Sequence, residues 1–251
     1  MRYLLCIPCV NRMEKANVPN VIHMTFKCFE QGGIFQSKIP FDIYLFESGS
    51  TDISYLDFIK TYQEKYPHIN IQILTHSSPL DGYTNTHRMF IELQKQINQK
   101  EFPYHYIVWM DDDIVVCKKF MENLHGWMNS YGKLSIFTSL YVCYPSFATK
   151  LSPRVHYSYI HNYYGSCCTI MKPSLVQYAI PHFFQKIGKP DSKFRRSIEH
   201  FFPQSNTILV PSVSMVQHLN VGSVNHKDNK GYKGHRSHNF IGMMKDPKFY
   251  L

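Results

Sequence analysis

Three adjacent carboxylates, Asp111, Asp112 and Asp113, are the strongest chemical signal in this sequence. They stand between two apolar, strand-like runs at residues 108–110 and 114–116. Burying three neighbouring negative charges is costly unless a cation neutralises them. Carboxylate oxygens suit Mg²⁺ or Mn²⁺, and such a cation can be shared with a substrate phosphate. An acidic surface turn is the alternative, but flanks of Trp, Met, Ile and Val favour a metal site at a strand end.

Two polar segments follow earlier strand-like runs. The first extends from Glu47 to Asp52 and offers backbone amides and side-chain acceptors to a nucleoside. Taken alone, it fits an ordinary helix-capping turn better, with Ser50 or Asp52 as cap. The second contains Gly82, which permits close approach, and Arg88 in the first turns of a helix. Because that end of a helix favours anions, we expect Arg88 to pair with a diphosphate or a carboxylate, unless it faces solvent.

A third polar cluster occupies residues 211–223, where His218 follows an apolar stretch. His218 could supply a nitrogen ligand to the same metal, although a lone His beside apolar residues is more often structural. The tail beyond it, residues 225–236, contains Lys227 and Lys233 among several other basic residues. We expect this cationic tail to be a mobile loop that folds over a diphosphate and neutralises charge on a leaving group.

The elements that would position these residues alternate over the first 150 positions. Strands are predicted over residues 3–9, 42–46, 70–75, 106–110 and 134–141, and helices over residues 19–30, 53–66, 85–98 and 118–130. This alternation predicts an α/β fold with a mostly parallel sheet flanked by helices, whose ligands bind at the carboxyl ends of the strands. Further helices are predicted over residues 173–186 and 194–201. With no linker in the chain, residues 1–251 are expected to form one domain.

The positive charge is concentrated in one part of the chain. The net charge is +9, and residues 1–150 hold 14 basic and 14 acidic side chains, so the whole excess lies in residues 151–251. Such an excess favours an anionic partner such as a phosphate, a nucleic acid or an acidic membrane surface, or it is an inert solvated face.

Composition excludes several classes of protein. With 44% hydrophobic and 18% charged residues the chain is typical of globular proteins. No apolar run reaches the roughly 20 residues of a membrane-spanning helix, and the N-terminus does not resemble a signal peptide, so a cytoplasmic protein is expected. The seven cysteines form no disulfide or zinc framework, and Cys6 and Cys9 are interpreted as core thiols.

The order of these segments resembles that of a GT-A glycosyltransferase. The motifs Asp-Asp-Asp-Ile-Val at 111–115 and Pro-Ser-Val-Ser-Met-Val-Gln-His-Leu-Asn-Val-Gly-Ser at 211–223 are similar to those of the N-acetylglucosaminyltransferase IV family. Relative to the family pattern, the second motif has an extra residue in its segment Gln217–Ser223. The resemblance extends in arrangement over residues 1–236, but only these short motifs are specific.

The resemblance implies a donor site for a nucleotide-sugar, most simply a UDP-sugar of the UDP-GlcNAc type. Asp111, Asp113 and His218 would hold Mn²⁺ or Mg²⁺ against the diphosphate, with Asp112 at the ribose or donor sugar. The remaining donor-site residues implied are Pro8, Glu47, Asp52, Gly82, Asn85, Arg88, Lys227 and Lys233. Residues 1–115 would form the nucleotide-sugar half and residues 116–251 the acceptor half, where residues 163–167 would line a glycan site.

An inverting transferase also needs a general base for the acceptor hydroxyl. Acidic residues are scarce between the metal motif and the tail. The resemblance places Glu199 in that role, because it stands where the family has an acidic residue before the Gln-His segment. Its alternative is a helix-surface Glu paired with Arg195 or Arg196.

Two other functions compete with a glycosyltransferase. A metal-dependent phosphoryl-transfer enzyme or nuclease would need further carboxylates around two metals, and the basic half offers few. A nucleic-acid-binding module would use the C-terminal charge and need no metal. Neither accounts for a carboxylate motif that ends a buried strand and is followed far downstream by Gln217 and His218. No nucleic-acid partner is therefore expected, whereas peripheral contact with a membrane is compatible with the charge.

Overall fold

The computed structural model describes residues 1–99, 101–141, 148–150, 155–159, 167–183, 190–201, 207–219 and 240. The strands are β1 (Tyr3–Cys9), β2 (Phe41–Glu47), β3 (Ile71–Thr75), β4 (Tyr106–Met110), β5 (Ile114–Val116), β6 (Phe137–Ser139), β7 (Ala148–Lys150), β8 (Val155–Tyr159), β9 (Cys168–Met171), β10 (Thr207–Pro211) and β11 (Val216–His218). The helices are α1 (Arg12–Ala16), α2 (Ile22–Gln31), α3 (Phe58–Lys65), α4 (Gly82–Ile97), α5 (Phe120–Tyr131), α6 (Pro173–Phe183) and α7 (Pro190–Phe201), with 3-10 turns at Ser54–Leu56 and Gly132–Leu134.

Six of the described strands form the central sheet, in the order β3-β2-β1-β4-β9-β6. The first four are parallel, and β9 runs antiparallel to both β4 and β6. Cys6 of β1 lies opposite Trp109 of β4, so the loops that follow these two strands leave the same edge of the sheet. The predicted α/β architecture, a mostly parallel sheet flanked by helices, is confirmed.

Alternate residues of β1 divide the core into two layers, as the pleat of a strand requires. Tyr3, Leu5 and Ile7 pack with α2, α3 and α5, whereas Leu4 and Cys6 pack with α4, α6 and α7. Both sides of the strand are therefore buried, which is typical of a parallel strand covered by helices.

Most predicted elements of the first 140 residues are present with shifted ends. Helix α4 begins three residues before the predicted start, because the Asp81 carboxylate caps it by accepting from the Thr84 N–H at 2.8 Å. The helix predicted over residues 53–66 is divided into a 3-10 turn and α3, and the strand predicted over residues 134–141 is shortened to β6.

The pairings between distant strands were not predicted. They are the insertion of β9 between β4 and β6, the antiparallel sheet β10-β8-β7, and the antiparallel ribbon of β5 with β11. The partners in that ribbon are separated by about a hundred residues, and no local pattern specifies such a pairing. Within the residues described, none of the helices combines the length and apolar character needed to cross a membrane.

Candidate active site

Loops at the carboxyl edge of the sheet supply the charged residues of the site. The loop after β1 leads into α1, whose N-cap residue Asn11 accepts a hydrogen bond from the Glu14 N–H at 3.2 Å. The Asn11 backbone N–H donates to Ser50 Oγ (3.0 Å), and its Nδ2 donates to the Asp52 carbonyl (2.9 Å). The loops after β1 and β2 are thereby joined, and Arg12 is placed beside the residues that follow β4.

The backbone of the three-carboxylate segment is held by three different parts of the chain. The Asp111 N–H donates to the Cys167 carbonyl at 3.0 Å, and the Asp113 carbonyl accepts from the Leu219 N–H at 2.8 Å. The carbonyl of the residue between them accepts from the Thr25 hydroxyl, also at 2.8 Å. These bonds fix the positions of the carboxylates relative to α2, β9 and β11.

Arg12 forms ion pairs with two of the three carboxylates. Its Nη2 contacts Asp112 Oδ1 and lies 3.0 Å from Asp113 Oδ2, and its Nε lies 3.4 Å from Asp112 Oδ2. All three side chains are almost fully buried. Buried carboxylates require such a partner, because their desolvation is otherwise uncompensated.

The environment moves the pKa values of these groups in different directions. Burial raises the pKa of the Asp112 carboxyl, although the Arg12 guanidinium opposes it. Burial also acts on Asp113, but the neighbouring His218 and Arg12 outweigh it and lower the pKa of that carboxyl. The Arg12 pKa is raised, because the two carboxylates outweigh the effect of its burial. Arg12 is therefore charged throughout the accessible pH range, and Asp113 is ionised at neutral pH.

The β5–β11 ribbon brings His218 to this edge of the sheet, opposite Ile114. Its Nε2 lies 3.1 Å from Asp113 Oδ1 and 4.0 Å from Asp111 Oδ2. Ligand atoms of Asp111, His218 and Cys167 all lie within 4.8 Å of one another, which makes this the group of described residues that could hold a metal ion.

These residues border a cleft of about 150 Å³. Its described lining residues are Pro8, Cys9, Val10, Arg12, Gly82, Asn85, Thr86, Asp111, Asp112, Asp113 and His218. The predicted residues Pro8, Gly82, Asn85, Asp111–Asp113 and His218, which are far apart in sequence, are thus brought together. Their roles in binding a nucleotide-sugar and a metal stay predictions.

Glu47 lies beside the cleft, but its carboxylate is used within its own loop. It is completely buried and accepts hydrogen bonds from the N–H groups of Gly49 (2.7 Å) and Ser50 (3.1 Å) and from the Tyr55 hydroxyl (3.2 Å). Asp52 is exposed and accepts from the Ser54 N–H at 2.8 Å, which lowers the pKa of its carboxyl. Neither residue is among the described lining of the cleft, and their predicted contacts with uridine and ribose stay predictions.

Asn85 and Arg88, on α4, bind backbone carbonyls at the ends of strands. Asn85 Nδ2 donates to the carbonyls of Cys9 (3.1 Å) and Phe46 (2.7 Å). Arg88 donates to the carbonyls of Glu47 (2.8 Å) and Leu74 (3.1 Å). Arg88 thus bridges β2 and β3, and a diphosphate contact for it stays a prediction. Asn85 Oδ1 is buried and accepts no hydrogen bond from the described residues.

Glu199 lies on α7, outside the described lining of the cleft. Its carboxylate is 42% exposed and lies 3.9 Å from Arg195 Nε, in the helical pairing considered as the alternative to a base. Lys227, Lys233 and residues 163–166 of the predicted acceptor segment lie outside the described residues.

Arg12 was not predicted at the site, and Cys167 was predicted only within the acceptor segment at residues 163–167, not beside the metal-binding residues. Arg12 could have been found by applying the strand-end rule to β1, because it stands three residues after the end of that strand. Cys167 carries no such signal, since it reaches the site only through the antiparallel pairing of β9 with β4.

The similarity to solved structures lies in the fold. No family model matches the sequence, and no curated protein matches it. The crystal structure of S. aureus TarS 1-349 aligns with a TM-score of 0.56 and 12% identity over 85% of this chain and 58% of that chain. A second S. aureus TarS structure aligns with a TM-score of 0.54 and 10% identity over 84% of this chain and 35% of that one. The fold is that of the GT-A glycosyltransferases.

This chain spans little more than half of the first TarS structure and about a third of the second. A third structure is the mannosyltransferase PcManGT from Pyrobaculum calidifontis in complex with GDP-Man and Mn²⁺. It aligns over 70% of this chain and 45% of that one, with 12% identity. Its TM-score of 0.45 is too low to support any conclusion about this chain. The two TarS alignments support the GT-A fold, whereas the resemblance to the N-acetylglucosaminyltransferase IV family stays a prediction.

Proposed function

We propose that the protein is a metal-dependent glycosyltransferase that moves a sugar from a nucleotide-sugar to a hydroxyl group of a glycan or similar acceptor. The observation that carries this proposal is the convergence of Asp111, Asp113 and His218 in a cleft at the carboxyl edge of a GT-A sheet. Ligands of α/β sheets bind at that edge, particularly beside loops that leave neighbouring strands.

The side chains that could bind a metal at the cleft suit a divalent cation, Mn²⁺ or Mg²⁺. Asp111 and His218 approach each other to 4.0 Å beside an open cleft. The carboxylate suits Mn²⁺ or Mg²⁺, and the imidazole suits a transition metal, so Mn²⁺ fits the pair better than Mg²⁺. When bound, the cation would neutralise the diphosphate of the donor and its leaving group. Asp113 would complete or support this site, and Asp112 would face the ribose or the donor sugar.

Other groups at the cleft would bind and orient the nucleotide-sugar. The buried Oδ1 of Asn85 offers an acceptor to a ligand N–H or O–H group. Pro8 and Gly82 line the same cleft and allow a planar base to approach the backbone closely. The cationic tail would add Lys227 and Lys233 at the diphosphate. The finer donor assignment is a UDP-sugar of the UDP-GlcNAc type.

The transfer is proposed to invert the anomeric centre, with Glu199 as general base. Glu199 would remove the proton of the acceptor hydroxyl as that oxygen attacks the anomeric carbon, and the nucleoside diphosphate would leave from the opposite face. Its exposed carboxylate is compatible with access to an acceptor.

A thermal-shift experiment with UDP-, GDP- and CDP-sugars, each with and without Mn²⁺, tests the function. A ligand that binds only the folded state raises the melting temperature, so one nucleotide class should stabilise the protein, and only with metal. The Asp111→Asn variant should lose this shift, whereas Asp57→Asn, which changes an exposed carboxylate, should keep it. If no nucleotide-sugar shifts the melting temperature, or if Mn²⁺ makes no difference, the proposal is wrong.

A further inference from the structure

The Cys167 thiol lies beside Asp111 and His218, although the sequence placed this residue only in the predicted acceptor segment. Its side chain is buried, and its sulfur and the ligand atoms of Asp111 and His218 lie within 4.8 Å of one another. A backbone hydrogen bond also joins Cys167 to Asp111, because the Asp111 N–H donates to the Cys167 carbonyl at 3.0 Å. Ligands on one tetrahedral cation lie somewhat under 4 Å apart, given bonds of about 2.0–2.3 Å, so small side-chain rotations suffice to close the site.

Asp113 is positioned differently from these three residues. Its carboxylate is 5% exposed and lies 3.0 Å from the Arg12 guanidinium through one oxygen and 3.1 Å from His218 Nε2 through the other. One of its oxygens compensates the buried guanidinium, and the other faces the same Nε2 that approaches Asp111, so Asp113 holds the imidazole only until a cation takes that nitrogen. Asp111, at 31% exposed, is the carboxylate more accessible to an incoming cation.

We infer that Cys167 is a third protein ligand of the cation, with Asp111 and His218, and that the site therefore prefers thiophilic cations such as Zn²⁺ or Co²⁺ to Mg²⁺. Coordination replaces the S–H proton of Cys167 by the metal and releases that proton to solvent. One thiolate, one imidazole and one carboxylate form a mixed set in which the soft sulfur disfavours Mg²⁺. Three protein ligands beside an open cleft leave a coordination position for substrate, and only this last point rests on the proposed function.

Cobalt binding to the metal-stripped protein tests the inference without any substrate. Titration with Co²⁺ should produce the near-ultraviolet charge-transfer absorption of a cobalt–thiolate bond. Cys167→Ser should lose this absorption and weaken Co²⁺ binding by about tenfold or more, since loss of an outer-shell partner alone typically costs 10–100-fold. Cys168→Ala, which removes the neighbouring buried thiol, should retain the absorption. Thermal unfolding of each metal-free variant reports whether it is folded.

X-ray absorption of the zinc-loaded wild-type protein provides a measurement that does not depend on a variant. One sulfur neighbour at about 2.3 Å is expected, together with nitrogen or oxygen neighbours. The inference is overturned if zinc has no sulfur neighbour, if the cobalt band is absent, or if it survives in Cys167→Ser. A cobalt–thiolate band in a protein that binds no nucleotide-sugar would refute the proposed function alone. Metal-dependent nucleotide-sugar binding without that band would refute only the cysteine ligand.

Discussion

Arg12 carries the positive charge that allows Asp112 and Asp113 to lie buried beside each other. Its guanidinium contacts both carboxylates, and His218 approaches the second of them from the other side. These contacts keep Asp113 ionised, so that it can bind the imidazole of His218. The negative charge of the buried carboxylates is therefore balanced mainly by Arg12.

Replacing Arg12 by Met should destabilise the metal-free protein. Removing one partner of a buried ion pair leaves the other charge uncompensated, so the free energy of unfolding at neutral pH should fall by about 3–5 kcal/mol. The lowered pKa of Asp113 contributes stability that is present above the usual aspartate range and is lost as pH falls. The difference between wild type and variant should therefore shrink in acid. Urea unfolding in EDTA at several pH values measures both effects.

Arg12→Lys is the matched control, because it keeps the charge but loses the planar fork of donors. It should be less destabilised than Arg12→Met. If Arg12→Met lost less than about 1 kcal/mol of unfolding free energy, Arg12 would contribute no more than a solvent-exposed ion pair does. That result would contradict its role in stabilising the buried carboxylates.

Glu199→Gln tests the proposed base. Donor binding should be nearly unchanged while turnover falls by about two to four orders of magnitude, the usual contribution of general base catalysis. Glu92 is also a helix-surface Glu in an ion pair, with Lys95, so Glu92→Gln should retain normal turnover. Unchanged turnover in Glu199→Gln would leave its contact with Arg195 as its role and assign the base to another residue.

The loop between β2 and the 3-10 turn is shaped by a buried carboxylate and a glycine. Glu47 binds the N–H groups of the loop, and Gly49 has φ +80°. A Cβ at Gly49 would lie 2.3 Å from the Ser78 carbonyl oxygen, so the loop after β2 and the segment after β3 pack too closely for any side chain. The same loop holds Asn11, and through it the start of α1, in place beside the cleft.

Gly49→Ala should therefore cost more than the strain of its backbone conformation. Gly33 is a suitable comparison, because it also has a positive φ, +76°, but no atom of the described residues lies within 4 Å of the position that a Cβ would take there. Gly33→Ala should lose about 1–2 kcal/mol through backbone strain alone, and Gly49→Ala about 1–3 kcal/mol more through overpacking. Urea unfolding of both variants measures the difference. Equal losses would show that the close approach is unimportant.

The distribution of charge divides the chain into a neutral part and a basic part. The net charge of +9 arises entirely within residues 151–251, whereas the parallel part of the sheet and the carboxylates of the cleft belong to the neutral part. This separation fits a donor site in which the sheet holds the cation and the basic part adds positive charge around an anionic donor.

The double variant Lys227→Ala/Lys233→Ala tests the contribution of the cationic tail. The Michaelis constant for the nucleotide-sugar should rise about tenfold or more, since a hydrogen bond to a charged group contributes roughly 1.5–3 kcal/mol. Lys60→Ala/Lys95→Ala removes the same charge from two exposed helix-surface positions and should have little effect. Steady-state kinetics at two salt concentrations measures this. An effect shared by both double variants would reflect net charge rather than the tail.

The sequence by itself determined the parallel part of the sheet and the acidic motif. β1 and β4 begin and end at the predicted residues, and the strand-end rule identified the edge where Asp111–Asp113 lie. Such features are encoded locally, because an apolar run between helical segments specifies a buried strand, and three adjacent carboxylates stand out without any partner.

Only the tertiary structure decided which side chains meet at that edge. Arg12 and Asp112 stand 100 positions apart, His218 arrives through the β5–β11 ribbon, and Cys167 arrives through β9. It also decided that Glu47 binds the backbone of the loop that follows it and that Arg88, on α4, binds carbonyls at the ends of β2 and β3. These contacts depend on pairings between distant short strands, whose stability comes from burial and hydrogen bonds in the assembled sheet. No pattern within a single segment of the sequence contains that information.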